Sequence, residues 1–129
     1  INSFDKNPFV VNDIEIVPID VLHFKMQVFG FRIKNFVYLT DVSKIPNKEK
    51  YKMKNADVIV LDALRRKKHI SHFTLDQAIK ILQELKPKQA YLTHISHYMG
   101  LHSHLYQISF FHMLLQAYYH QIYYFLNMV

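Results

Sequence analysis

Four times in this chain an apolar run of β-type residues ends on a side chain able to hold a metal or move a proton. The runs are Val21-Leu22-His23, Val37-Tyr-Leu-Thr-Asp41, Val58-Ile-Val-Leu-Asp62 leading towards His69 and His72, and Gln89-Ala-Tyr-Leu-Thr-His94. In layered α/β folds ligands collect at the carboxyl ends of strands, where loop side chains converge. The last run delivers two histidines at i, i+3, His94 and His97. The recurrence demands a sheet whose strands bring these ends together.

The local signals supply such a sheet. Phe9-Val-Val11 and Ile14-Glu-Ile16 flank Asn12-Asp13, a hairpin turn, and Pro18 suggests an edge or a break in the second run. Gly30 to Thr40 reads as another hairpin turning at Lys34-Asn35. Pro46 opens a short helix through Met53, and Ala56 to Leu61 is a short, continuous apolar strand buried on both faces. Thr74 caps a helix in which Leu75, Ala78, Ile79, Leu82 and Leu85 repeat at helical spacing until Pro87. A strand to Thr93 follows. The order ββ, ββ, (α), β, α, β is that of an α+β or α/β layered half rather than a bundle.

With 129 residues there is room for one domain at most, and a half-domain fits equally. Without cysteine, any zinc or iron site must be built from His with Asp or Glu. The net charge of +6 would suit an anionic partner, but Lys44, Lys48, Lys50, Lys52 and Lys54 lie with Glu49 in one polar connection that reads as a solvated face, so nucleic acid is not expected. The first residue is Ile, which reads as a cut. No basic segment followed by an apolar one opens the chain, and a cytoplasmic location is expected.

Charge distribution marks a break. Every Asp, Glu, Lys and Arg lies at or before Lys88, whereas six of nine histidines and seven of nine tyrosines fall after it. The text from His104 onward is expected to be a separate region. Three readings of it compete, an altered or frameshifted gene end, a membrane-associated helix, and a core or partner-facing amphipathic helix, and a histidine site from His102, His104, His112 and His120 is a further reading. Gln107, His112, Gln116, His120 and Gln121 interrupt the run, leaving no stretch near the roughly 20 apolar residues of a span, so a membrane partner is not expected.

The ordered set of His23, Gly30-Phe-Arg-Ile, Tyr38-Leu-Thr-Asp41, Asp62-Ala-Leu-Arg-Arg, His69-Ile-Ser-His-Phe-Thr-Leu75, Leu85-Lys-Pro-Lys and Tyr91-Leu-Thr-His-Ile-Ser-His97 resembles the C-terminal half of metallo-β-lactamase-fold hydrolases. It is most similar to the branch containing phosphoribosyl 1,2-cyclic phosphate phosphodiesterase. The resemblance covers about Pro8 to Ser103 and implies an αββα sandwich, an α/β fold whose mixed sheet has flanking helices. It assigns residues 1–103 to the C-terminal half of such a domain and 104–129 to a divergent, uncharged tail.

The resemblance also implies roles. His23 would be a ligand of the first of two divalent ions, zinc or manganese, Asp41 the carboxylate bridging both, and His94 a ligand of the second. His72 would stand outside the ligand shell as general acid or phosphate contact. The implied activity is hydrolysis of a small phosphodiester. Two cations flanking a shared carboxylate suit that reaction, because they activate water and neutralise charge on phosphate.

His69 and His97 are expected to be supporting or surface residues. Asp62 could orient a histidine or close a turn, and Arg65 to Lys68 could contact phosphate or be a solvated loop. The family's His-x-His-x-Asp-His motif is absent from this sequence, so the chain as given is expected to be truncated, to hold the two ions only in part or not at all, to be inactive alone, and to be prone to self-association or to pairing with the missing N-terminal half. The alternatives are an RNA-processing nuclease of the same superfamily and a non-catalytic binding module using the basic loops.

Overall fold

The computed structural model describes residues 6–99, so the expectations for the tail after Ser103 lie outside the described residues. Six strands form one sheet in sequence order: β1 (Phe9–Val11), β2 (Ile14–His23), β3 (Met26–Ile33), β4 (Phe36–Leu39), β5 (Val58–Asp62) and β6 (Gln89–Thr93). The first three pairings are antiparallel, and β4–β5 and β5–β6 are parallel. Thus β2, β4, β5 and β6 all point the same way. Their carboxyl ends, carrying His23, Asp41, Asp62 and His94, meet along one rim.

The turns follow from local chemistry. Asn12 and Asp13 both adopt left-handed backbone (φ 46 and 66), which gives the two-residue turn whose twist matches a hairpin. The β3–β4 turn has Lys34 in the same region (φ 52). The sequence did not reveal that β2 and β3 form one long hairpin closing at Phe24-Lys25, with His23 opposite Met26. Phe24 turns with φ 57, which a bulky side chain resists, so no Gly or Asn advertises the turn.

Pro18 neither breaks β2 nor ends it, since the strand continues to His23 with Pro18 opposite Phe31. Along β2 the N–H groups of Asp20 and Leu22 point away from β3, to Glu49 Oε2 (2.9 Å) and the Lys44 carbonyl (3.0 Å). By alternation the missing N–H of Pro18 falls on that same side, beyond the end of β1, and costs no ladder bond.

Two connections cover one face of the sheet. Helix α1 (Asn47–Lys50) continues as a 3₁₀ turn through Met53, and helix α2 (Leu75–Leu85) crosses from β5 to β6. Thr74 and Gln77 form a capping box at the start of α2, and Lys86 closes it in left-handed conformation (φ 50) before Pro87. The buried stripe Leu75, Ala78, Leu82 meets Val37 and Leu39, Ile59 and Leu61, and Ala90 and Leu92, the alternate residues of β4, β5 and β6. This core clamps the strands whose ends carry the rim. The mixed sheet with flanking helices is the α/β architecture expected from the sequence.

Candidate metal centre

His23 is placed by stitching around the end of β2. The Phe24 N–H donates to Ser43 Oγ (2.9 Å), Ser43 Oγ donates to the Leu22 carbonyl (3.0 Å), and the Ser43 N–H donates to the same carbonyl (2.8 Å). The strand bearing His23 is therefore tied to the loop that begins with Asp41. Asp41 itself has φ 55, and Val42 behind it is fully buried. The Phe73 N–H donates to the Val42 carbonyl (3.0 Å), which holds the segment bearing His72 against that loop.

His94 follows β6 with φ 59, and the Ser96 N–H donates to the Leu64 carbonyl (2.9 Å). Three non-glycine residues at one rim, Phe24, Asp41 and His94, thus hold left-handed backbone. Such strain persists where surrounding structure over-determines it, commonly at working sites.

These elements bring together His23, Asp41, His72 and His94. His23 Nε2 and His72 Nε2 lie 3.2 Å apart, and their rings meet edge-on at 4.7 Å. His94 stacks on His72 at 4.5 Å with 19° between planes, and its Nε2 is 3.8 Å from Asp41 Oδ1. His23, Asp41 and His72 offer ligand atoms that all lie within 4.8 Å of one another. The resemblance implied a place for His72 beside this pocket but outside the ligand shell; nothing in the spacing of a ten-residue loop after β5 encodes how far it folds back. His69 lies further out, its ring 5.2 Å from His72, and exposed His97 packs on Tyr98.

Behind His72 sits Asp62, fully buried, with Oδ2 3.1 Å from His72 Nδ1. Burial pushes the Asp62 carboxyl up to about 7, with the charge of Asp41 adding to the rise against the N–H groups of Val42 and Phe73. Burial pushes His72 down, helped by the charges of His94 and His23. Both directions favour an uncharged pair. Among the described residues Asp62 Oδ1 has no close hydrogen-bond partner.

The residues fit a divalent ion. Imidazole nitrogens and a carboxylate suit zinc or manganese, and two nitrogens on one tetrahedral zinc at about 2.0–2.1 Å would sit roughly 3.3 Å apart, close to the spacing seen here between His23 and His72. A carboxylate accepting from the far ring nitrogen is the usual support for such a ligand, and a nearby cation would hold Asp62 ionised.

Comparison with known proteins bears on the family and the fold. The family model of the beta-lactamase superfamily domain matches residues 2–95. A diphosphatase of the PhnP family is similar in structure with a TM-score of 0.78 and 33% identity, over 81% of this chain and 42% of that one. The metallo-beta-lactamase fold protein YhfI from Bacillus subtilis gives a TM-score of 0.69 at 20% identity, over 88% of this chain and 49% of its own length. The short form of human tRNase Z gives 0.59 at 21% identity, over 70% and 41%. At those identities the last two speak for the fold alone. In sequence, 96 residues are 32% identical to an octanoyltransferase of Porphyromonas gingivalis, covering 74% of this chain and 20% of that protein. The chain thus spans less than half of each of these relatives. With the family model covering most of the chain and the strand-end cluster in place, the protein belongs to the metallo-β-lactamase-fold hydrolase superfamily, on its PhnP-like branch.

Proposed function

We propose that this chain supplies one half of the active site of a metal-dependent hydrolase acting on a small phosphodiester. The observation that carries the reading is the convergence of His23, Asp41, His72 and His94 on one rim. In this reading His23, Asp41 and His94 would hold divalent ions, Asp41 being the carboxylate available to both. When bound, such ions supply Lewis-acid activation of water and neutralise charge on the phosphoryl group. In this reading the other half of the reaction falls to side chains of the protein. His72, steadied by Asp62 through Nδ1, turns Nε2 into the cluster and can carry a proton there for the leaving oxygen.

A second reading gives His72 itself to an ion together with His23 and Asp41, and the 3.2 Å Nε2 to Nε2 spacing favours it. The two differ in what His72→Ala removes. Loss of turnover with metal content kept supports the proton role, and loss of an ion supports the ligand role.

Two full metal sites need more donors than these four residues offer, and the missing His-x-His-x-Asp-His motif accounts for the shortfall. The remaining ligands would come from protein outside this sequence. The test is a chimera in which residues 8–99 replace the corresponding half of the PhnP-family diphosphatase. It should hold two ions and cleave an aryl phosphodiester, and His94→Ala should abolish cleavage. A folded, two-metal chimera that leaves the diester intact would contradict the proposal, as would full activity of this chain alone.

A further inference from the structure

The loop between β5 and α2 carries, besides His69 and His72, the run Arg65-Arg66-Lys67-Lys68, for which the proposed reaction has no use. Its shape is fixed from within. Arg65 donates from Nε to the Lys67 carbonyl (3.2 Å) and from Nη2 to the Lys68 carbonyl (3.1 Å), so its guanidinium serves the loop backbone. Arg66 and Lys67 are exposed, and among the described residues neither has a carboxylate partner.

Tyr98 is 69% exposed, with the His97 ring packed against it at 3.9 Å. It is held there by a 3₁₀ turn (His97–Met99) anchored through buried Met99, whose N–H donates to the Ser96 carbonyl (2.9 Å), and its own N–H donates to Ser96 Oγ (3.3 Å). Arg65, Arg66, Lys67 and Tyr98 line a cavity of about 430 Å³, within the roughly 300–1,000 Å³ of small-molecule sites. Both walls are continuous with the metal cluster. The Ser96 N–H bond to the Leu64 carbonyl joins the segment after His94 to the start of the loop that ends in His72.

An exposed aromatic ring and two unpaired cations lining one cavity, beside a preorganised loop, match a ligand that is a planar ring at one end and a phosphate at the other. Resting on the phosphodiesterase reading, we infer that this cavity seats the non-reacting part of the substrate, a nucleoside phosphate whose base stacks on Tyr98 and whose phosphate faces Arg66 and Lys67. The reacting phosphoryl group then lies towards His72 and His94. Arg65 is a positioning residue and touches no ligand.

The inference is tested by equilibrium binding to the full chain in EDTA at low salt, so that neither metal nor turnover enters. The probes are adenosine 5′-monophosphate, ribose 5-phosphate and a triribonucleotide. The nucleotide should bind at least about fivefold more tightly than ribose 5-phosphate, the smallest effect expected of one stacked base. Tyr98→Ala should erase that difference and Tyr98→Phe should keep it. Arg66→Ser with Lys67→Ser should weaken both ligands alike. Equal binding of the two ligands, indifference to Tyr98→Ala, or no binding of the nucleotide overturns the inference. A triribonucleotide binding more than about tenfold tighter than the mononucleotide also overturns it, because the site would then track a strand. Phosphodiester cleavage by the chimera without nucleotide binding here would remove this inference alone and leave the hydrolase reading standing.

Discussion

Gly30 gives the sharpest test of how the rim is built. It lies in β3 opposite Ile19, and a Cβ at this position would meet Leu39 Cγ at 2.6 Å, the Tyr38 carbonyl oxygen at 2.9 Å and Leu39 Cδ1 at 3.3 Å. Ordinary carbon contacts are about 3.5–4.0 Å, so the nearest is short by about 1 Å. Leu39 is fully buried in the core and cannot swing aside, and the second obstacle is backbone of β4. Inserting a methyl group into packed surroundings costs about 1–3 kcal/mol, and Gly30→Ala should fall in the upper part of that range. At a urea m-value of about 1–3 kcal/mol/M, the midpoint should drop by about 0.7–3 M with m unchanged.

Leu39→Ala alone should cost about 2–5 kcal/mol for the cavity it leaves, but clearly less in the Gly30→Ala background, where it also relieves the clash. Because Leu39 lies two residues before Asp41, the same strain should disturb metal binding. A midpoint unchanged in Gly30→Ala, or a double-mutant cycle additive to within about 0.5 kcal/mol, would refute the close β3–β4 approach.

Other consequences follow from the same contacts. With its carboxyl raised from 3.8 to about 7, Asp62 binds a proton more tightly folded than unfolded, so the metal-free chain should lose stability as pH rises from about 4 to 7, by up to a few kcal/mol. His72, lowered from 6.5, has the opposite sign: its contribution is complete above 6.5 and is lost as pH falls through its folded value. Urea melts in EDTA across this range should show a flatter profile for Asp62→Asn, and a slope identical to the parent would rule out the buried carboxyl as its source. Thr74→Ala removes the acceptor for the Gln77 N–H at the start of α2 and should cost about 1 kcal/mol, measured by the same melts; a neutral result would mean that water replaces the cap.

The parts of the fold that were legible in the sequence have local causes. Asn12-Asp13 fixes its turn by tolerance of left-handed backbone, Thr74 with Gln77 fixes a helix start, and the apolar β4, β5 and β6 runs match a core face on every second residue. That His23, Asp41 and His94 share a rim was readable because each ends a run, and parallel strands align such ends. What was hidden depends on contacts between distant segments. The Phe24-Lys25 turn is held by Ser43 rather than by its own residues, and Pro18 is accommodated because Glu49 and Lys44 take the N–H groups beside it. The approach of His72 to His23 rests on the Val42–Phe73 and Leu64–Phe73 backbone bonds, which no spacing in one segment announces.

The central claim, that His23, Asp41, His72 and His94 form one metal-capable cluster, is tested most directly by imidazole NMR of the full chain titrated with manganese(II). Paramagnetic broadening falls off steeply with distance and reports which rings approach the ion, whatever the activity. The rings of His23, His72 and His94 should broaden together at substoichiometric metal, and Asp41→Ala should abolish the effect at all three. Broadening confined to His102, His104, His112 and His120, with His23 and His94 sharp, would contradict the account.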